Sequence, residues 1–220
     1  MIWWGHDRER RRMVEQQLAR RGITDAAVLD AMADVPRELF VPPEMAREAY
    51  ADRPLPIGHH QTISQPYIVA LMTQAARLIR GESRVLDVGT GSGYHTAVLA
   101  RIAQHVWTIE RIAALATEAR ERFRRLGLVN ITSLVGDGAT GHPGAAPYDA
   151  ILSAAAAPRP PQPLIDQLAV GGRLVLPVGD RAMQELTVLR RTREGLDEER
   201  VGAVRFVPLV SPEGFTDEDG

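Results

Sequence analysis

The sequence predicts an α/β protein: a doubly wound, mostly parallel seven-stranded sheet preceded by a helical N-terminal extension. Three observations lead there. From residue 84 onward, strand-sized apolar runs alternate with helix-length amphipathic stretches, the rhythm of a parallel sheet with crossover helices. The first run, Val85-Leu86-Asp87-Val88, lacks in–out alternation, as a strand covered on both faces does. It then empties into the glycine-rich turn Gly89-Thr90-Gly91-Ser92-Gly93, which opens a helix. A chain of 220 residues, 45% hydrophobic and 25% charged, has room for one domain with a full-sized core.

In chain order, residues 1–80 form the extension, 84–210 the α/β core and 211–220 an acidic tail. Met1–Trp4 is the only apolar stretch at the start, far short of the roughly 7–15 residues of a secretory core. No apolar run approaches the roughly 20 residues of a spanning helix, so a soluble, cytoplasmic chain is expected. Thr24 can cap a helix whose apolar positions Val28, Leu29, Met32 and Val35 run at helical spacing until Pro36. A Pro-rich connector from Val41-Pro42-Pro43 to Pro54-Leu55-Pro56-Ile57-Gly58 leads to Pro66, near the first turn of a second helix. That helix carries Val69, Met72, Ala76 and Ile79 on one face and closes at Gly81. Strands are expected at Arg84–Val88, Val106–Glu110, Ile131–Val135, Ala150–Ser153, Arg173–Val178, Leu186–Arg190 and Val204–Val210, with helices at Tyr94–Ile102, Ile112–Leu126 and Pro163–Leu168. The end, Thr216–Gly220, is expected to fray.

Composition removes many chemistries. There is no cysteine, and all 26 basic residues are arginine. Disulfides, thiolate metal sites, thiol nucleophiles and Schiff-base lysines are therefore excluded. A GC-rich genome is the simplest source of the arginine bias. The net charge of −2 gives no global pull toward nucleic acid or anionic lipid. The six histidines include no H-E-x-x-H set, so no metal site is expected.

The glycine spacing selects a ligand. A dinucleotide fingerprint, G-x-G-x-x-G, would need glycine where Tyr94 stands. The G-x-G-x-G form after Asp87 instead resembles motif I of the class I methyltransferases, which bind S-adenosylmethionine. Glu110 ends the second strand, where a carboxylate can accept bonds from both ribose hydroxyls. Asp137-Gly138 ends the third and is similar to that family's adenine contact. The resemblance implies a Rossmann-like methyltransferase fold with a donor site made of Asp87, Gly89, Thr90, Gly91, Ser92, Gly93, Glu110, Arg111, Asp137 and Gly138, releasing S-adenosylhomocysteine.

A second segment, Pro54-Leu55-Pro56-Ile57-Gly58-His59-His60-Gln61-Thr62-Ile63-Ser64-Gln65-Pro66-Tyr67, resembles the signature of protein-L-isoaspartate O-methyltransferases. The likeness continues through Val35–Val41, Ala150–Pro158, Gly171–Gly179 and Val204–Leu209. It implies methylation of the free α-carboxylate of L-isoaspartyl residues in damaged proteins and peptides, the ester returning through succinimide to aspartate. Ser64 corresponds to that family's active-site serine. Thr62, Ile63, Tyr67, Ala154, Ala155, Val207, Pro208 and Leu209 are implied to line the isoaspartyl pocket of a monomer that binds neither nucleic acid nor membrane.

The chemistry suits such a composition. A carboxylate, with a pKa near 4, is already ionised at neutral pH, so attack on a sulfonium methyl needs alignment rather than a general base or metal. Ser64, before the helix starting near Pro66, can either orient the carboxylate or serve as an N-cap. One position departs from the family: His60 stands where a glycine commonly precedes Gln61. A side chain there narrows the conformations open to the loop and keeps a dedicated peptide acceptor in play as an alternative. A nucleic-acid methyltransferase would carry a basic face or an N/D-P-P-Y/F motif, and the sequence has neither.

Overall fold

The computed structural model describes residues 6–216; the Met1–Trp4 stretch with Trp3 and Trp4, and the acidic residues 217–220, lie outside the described residues. The chain begins with α1 (Asp7–Arg12), which runs on through a widened turn, Met13–Leu18, and a tight one, Ala19–Arg21, to Gly22. Helix α2 (Ala26–Asp34) follows. A hairpin, β1 (Leu55–Gly58) and β2 (Gln61–Ile63), then leads to α3 (Pro66–Ala76). The core comprises β3 (Arg84–Val88), α4 (Tyr94–Ala100), β4 (His105–Glu110), α5 (Ala113–Arg125), β5 (Ile131–Val135), β6 (Tyr148–Ser153), α6 (Gln162–Asp166), β7 (Leu168–Gly179), β8 (Gln184–Arg191) and β9 (Leu196–Val204).

These strands make one seven-stranded sheet in the order β5-β4-β3-β6-β7-β8-β9. The pairs from β5 to β7 are parallel, and β8 and β9 close the sheet as an antiparallel ribbon. From β3 the chain winds outward to β5 and returns to place β6 on β3's other side. The strand order therefore reverses between β3 and β6, where a doubly wound sheet opens its ligand crevice.

Alternate residues of the central strands serve different layers. Val85, Val106, Ala150, Leu152 and Val175 pack with Met72 and Ala76 of α3 and Leu99 of α4. Leu86, Val88, Ile109, Ile151, Leu174 and Leu176 pack with Leu164 of α6. Burial on both faces accounts for the unbroken apolar runs. The extension is stitched to the core through Met32, Phe40 and Val69, which join Tyr94, Val98 and Phe123 of α4 and α5 in one cluster.

Three sequence expectations need correction. The N-cap of α2 is Asp25, whose carboxylate accepts from Ala27 N (2.8 Å) and Val28 N (3.3 Å); Thr24 N is instead held by Gln74 Oε1 at 2.7 Å. Helix α3 stops at Ala76, with Arg77 left-handed at φ 50°, because Ser83 Oγ takes the Ile79 N–H (2.8 Å) and turns the chain into β3. Ile79 is consequently 61% exposed rather than part of the buried face. The seventh strand is Leu196–Val204, not Val204–Val210. Its Leu-Asp-Glu-Glu-Arg start is a solvated edge without an apolar signal, whereas the apolar run after it crosses the top of β6.

Candidate active site

The loop after β3 is pinned from its first residue, since Gly89 N donates to Ile109 O at 2.8 Å at the end of β4. Gly93 has φ 91°, and a Cβ there would lie 2.7 Å from the Phe123 ring, so the entry to α4 admits no side chain. Gly138 is equally constrained by approach: its Cβ would meet Val88 Cγ1 at 2.4 Å. The loop thus lies close against β3 and β4 and leaves backbone facing the crevice.

Asp87 is fully buried. Its Oδ2 accepts from Thr96 Oγ1 (2.6 Å) and Thr108 Oγ1 (3.3 Å), while Oδ1 has no hydrogen-bond partner. Burial pushes the Asp87 carboxyl up to about 7; the two hydroxyls oppose this and the Glu110 charge adds to it. A buried acceptor held without a partner is costly. Glu110 is clasped by Gly91 N at 2.8 Å and Ile112 N at 2.9 Å. Thr90 turns its hydroxyl to Thr108 Oγ1, 2.6 Å away, and Ser92 is buried with its carbonyl accepting from Arg122; both belong to the loop's underside. The Asp137 carboxylate accepts from Ala139 N (2.9 Å) and Ser211 Oγ (2.6 Å), which ties the chain's final segment to the end of β5.

Two cavities open at this end of the sheet. The smaller, about 330 Å³, is lined by Gly89, Gly91, Glu110, Arg111 and Gly138 from the strand ends, together with His60, Gln61, Ala155, Pro208 and Leu209. The larger, about 600 Å³, is lined by Pro54, Ser64, Gln65, Ile68, Arg205 and Phe206. Thr62, Ala154 and Val207 line both, so the two spaces share a wall of three side chains. Ile63 is instead buried in the extension's apolar cluster. Tyr67 lies under the Arg21 guanidinium, 3.8 Å from its centroid.

Ser64 precedes α3 without capping it; the cap position is Gln65, and no side chain bonds the helix N-terminus. Its main chain is fixed by a residue that the sequence reading missed. Arg37 is fully buried, with Nη2 donating to Ser64 O (2.8 Å), Nε to Ala49 O (2.6 Å) and its guanidinium above the Tyr94 ring. Arg205, on the larger cavity, was missed as well. Neither arginine stands out in a chain where every basic residue is one. The segment carrying Val207–Leu209 is held by Ala156 N to Val207 O (2.8 Å) and Leu209 N to Ala156 O (2.7 Å). Among the described residues no cluster of histidines and carboxylates could hold a metal.

The family Protein-L-isoaspartate(D-aspartate) O-methyltransferase (PCMT) matches residues 8–214. The chain is 56% identical over 207 residues to a protein-L-isoaspartate O-methyltransferase of Methanoregula boonei, covering 94% of this chain and 95% of that one. It is 54% identical to protein-L-isoaspartate O-methyltransferase 1 of Syntrophobacter fumaroxidans, over 94% and 96% of the two. A solved protein-L-isoaspartate O-methyltransferase superposes with a TM-score of 0.82 at 27% identity, covering 93% of this chain and 67% of that one. The beta-aspartate methyltransferase (PCMT) of Plasmodium falciparum, in complex with S-adenosyl-L-homocysteine, gives 0.78 at 28% identity, over 91% and 98%.

Proposed function

The chain belongs to the protein-L-isoaspartate(D-aspartate) O-methyltransferase family, and on that premise we infer how its two cavities divide the reaction. It is a repair methyltransferase that esterifies the free α-carboxylate of L-isoaspartyl residues with a methyl from S-adenosylmethionine; the ester then returns through succinimide to aspartate. The observation that carries the division of labour is the common wall of Thr62, Ala154 and Val207. A donor on the glycine-loop side and a carboxylate on the Ser64 side meet across it.

The residues of the smaller cavity fit the donor. Gly89 and Gly91 give a backbone floor and Glu110 a carboxylate for ribose hydroxyls; Asp87, fully buried and lining neither cavity, acts from beneath the loop through its bonds from Thr96 and Thr108. S-adenosylmethionine, when bound, supplies a methyl group on a positively charged sulfur. The protein's part is alignment. Ser64 donates its hydroxyl to the substrate carboxylate, held in place by the Arg37 bond to its carbonyl. Arg205 offers the acceptor cavity its guanidinium, which offsets the cost of bringing an anion out of water. The low walls of Ala154 and Val207 leave room for in-line approach. Of the expected pocket residues, Ala155, Pro208 and Leu209 act as the donor-side wall, while Ile63 and Tyr67 shape the loop from behind.

No helix of the described residues is long and apolar enough to cross a membrane. The test is repair itself: an isoaspartyl peptide incubated with the protein and S-adenosylmethionine, followed by chromatography. Accumulation of the aspartyl form, dependent on the donor, is the expected result; an unchanged isoaspartyl peptide refutes the reading.

A further inference from the structure

The turn between β1 and β2 consists of two residues, His59 and His60, and both are left-handed, at φ 51° and 57°. Positive φ at both central residues is the signature of a type I′ hairpin turn, in which Asn-Gly and Gly-Gly dominate. Two imidazole-bearing residues there are strained, and strain of this kind gathers at ligand sites. The two histidines differ in one respect. His59 lines neither cavity, while His60 lines the smaller one beside Gln61, Thr62, Glu110 and Arg111.

The hairpin also sits on the donor loop. Ile57 Cδ1 lies 3.4 Å from the point where a Cβ on Gly91 would be, and the Gly91 N–H is the one that clasps Glu110. The turn is thereby carried to the part of the cavity that Glu110 borders. Among the described residues, the His60 ring makes no hydrogen bond, and an imidazole can donate, accept or pack against a planar ring. Resting on the reading of this cavity as the donor site, we propose that His60 is a donor-binding residue, presented by the strained turn to the nucleoside half of S-adenosylmethionine.

Isothermal titration with S-adenosylhomocysteine and with 5′-methylthioadenosine, which lacks the amino-acid end, tests this on the wild type and on H60G, H60A and H59G, with thermal unfolding alongside. His60→Gly is expected to raise Tm, by removing left-handed strain, and yet to weaken both ligands about 3–10-fold, the worth of a hydrogen bond. His60→Ala should lose the same affinity without the gain in Tm. His59→Gly should gain Tm and bind both ligands as the wild type does. Wild-type affinity in both H60G and H60A overturns the proposal, as does a loss in H60G alone or a loss confined to S-adenosylhomocysteine. A wild type that binds neither ligand overturns the donor-site reading, and this inference with it.

Discussion

At the scale of single residues, Ser64 lines the larger cavity and Asp87 is buried beneath the glycine loop. Replacing Ser64 by alanine removes one hydroxyl from the acceptor side, leaving the Arg37 bond to its carbonyl. Turnover on an isoaspartyl peptide is expected to fall at least tenfold while S-adenosylhomocysteine affinity stays within a factor of two; titration and initial rates measure the two. Asp87 makes a pH prediction. Its carboxyl is raised from 3.8 to about 7 in the folded protein, so the folded state holds a proton that the unfolded chain has lost. Stability from this group is greatest in acid and declines as pH climbs through that window. Thermal unfolding of D87N should therefore gain on the wild type between pH 4 and 7, and a constant difference across that range contradicts the burial argument. Strand ends and glycine spacing mark Asp87, Gly89, Gly91 and Glu110 in the sequence, whereas Ser64 is singled out only by the resemblance of Gln61–Ser64 to the family signature. Arg37 was not, because its role depends on Ala49, Ser64 and Tyr94, which lie 12, 27 and 57 positions along the chain.

At the scale of elements, the parallel strands were readable and the antiparallel edge strand was not. Arg84–Val88 coincides with β3, whose apolar run follows from burial along the strand; Ile131–Val135 coincides with β5, a part-exposed edge that still carries Ile131, Leu134 and Val135. Strand β9 is an exposed edge whose residues answer to solvent, so nothing apolar marks it. The run Val204–Val210 has the composition of a strand but serves as a strap. Its carbonyl and amide pair with Ala156 and carry Val207–Leu209 over the cavities. That segment is anchored at its far end by the Ser211 Oγ to Asp137 Oδ2 bond of 2.6 Å. Ser211→Ala breaks the anchor and leaves one carboxylate oxygen without its partner. Donor affinity is expected to drop about 3–10-fold, with the fold intact by circular dichroism; unchanged affinity would show that the segment holds its place without the bond.

At the scale of the molecule, the extension and the α/β core meet at the two cavities. The core supplies a crevice at the reversal of strand order, and the extension lays the β1–β2 hairpin and Ser64 across it. Ligand binding should therefore stabilise the whole chain. At a hundredfold excess of S-adenosylhomocysteine over its dissociation constant the gain is about 2.7 kcal/mol, a rise in Tm of roughly 5–10 °C for a protein of this size. Differential scanning fluorimetry reads it directly, and an unmoved Tm would mean that the ligand does not bind the folded chain.

The most direct measurement of what this protein does is transfer of labelled methyl from S-adenosylmethionine to an isoaspartyl peptide, beside the same peptide carrying aspartate. The expected result is a base-labile methyl ester on the isoaspartyl peptide alone, formed at least tenfold more slowly when Ser64 is alanine. Equal labelling of the two peptides, or a base-stable product, would contradict the assignment.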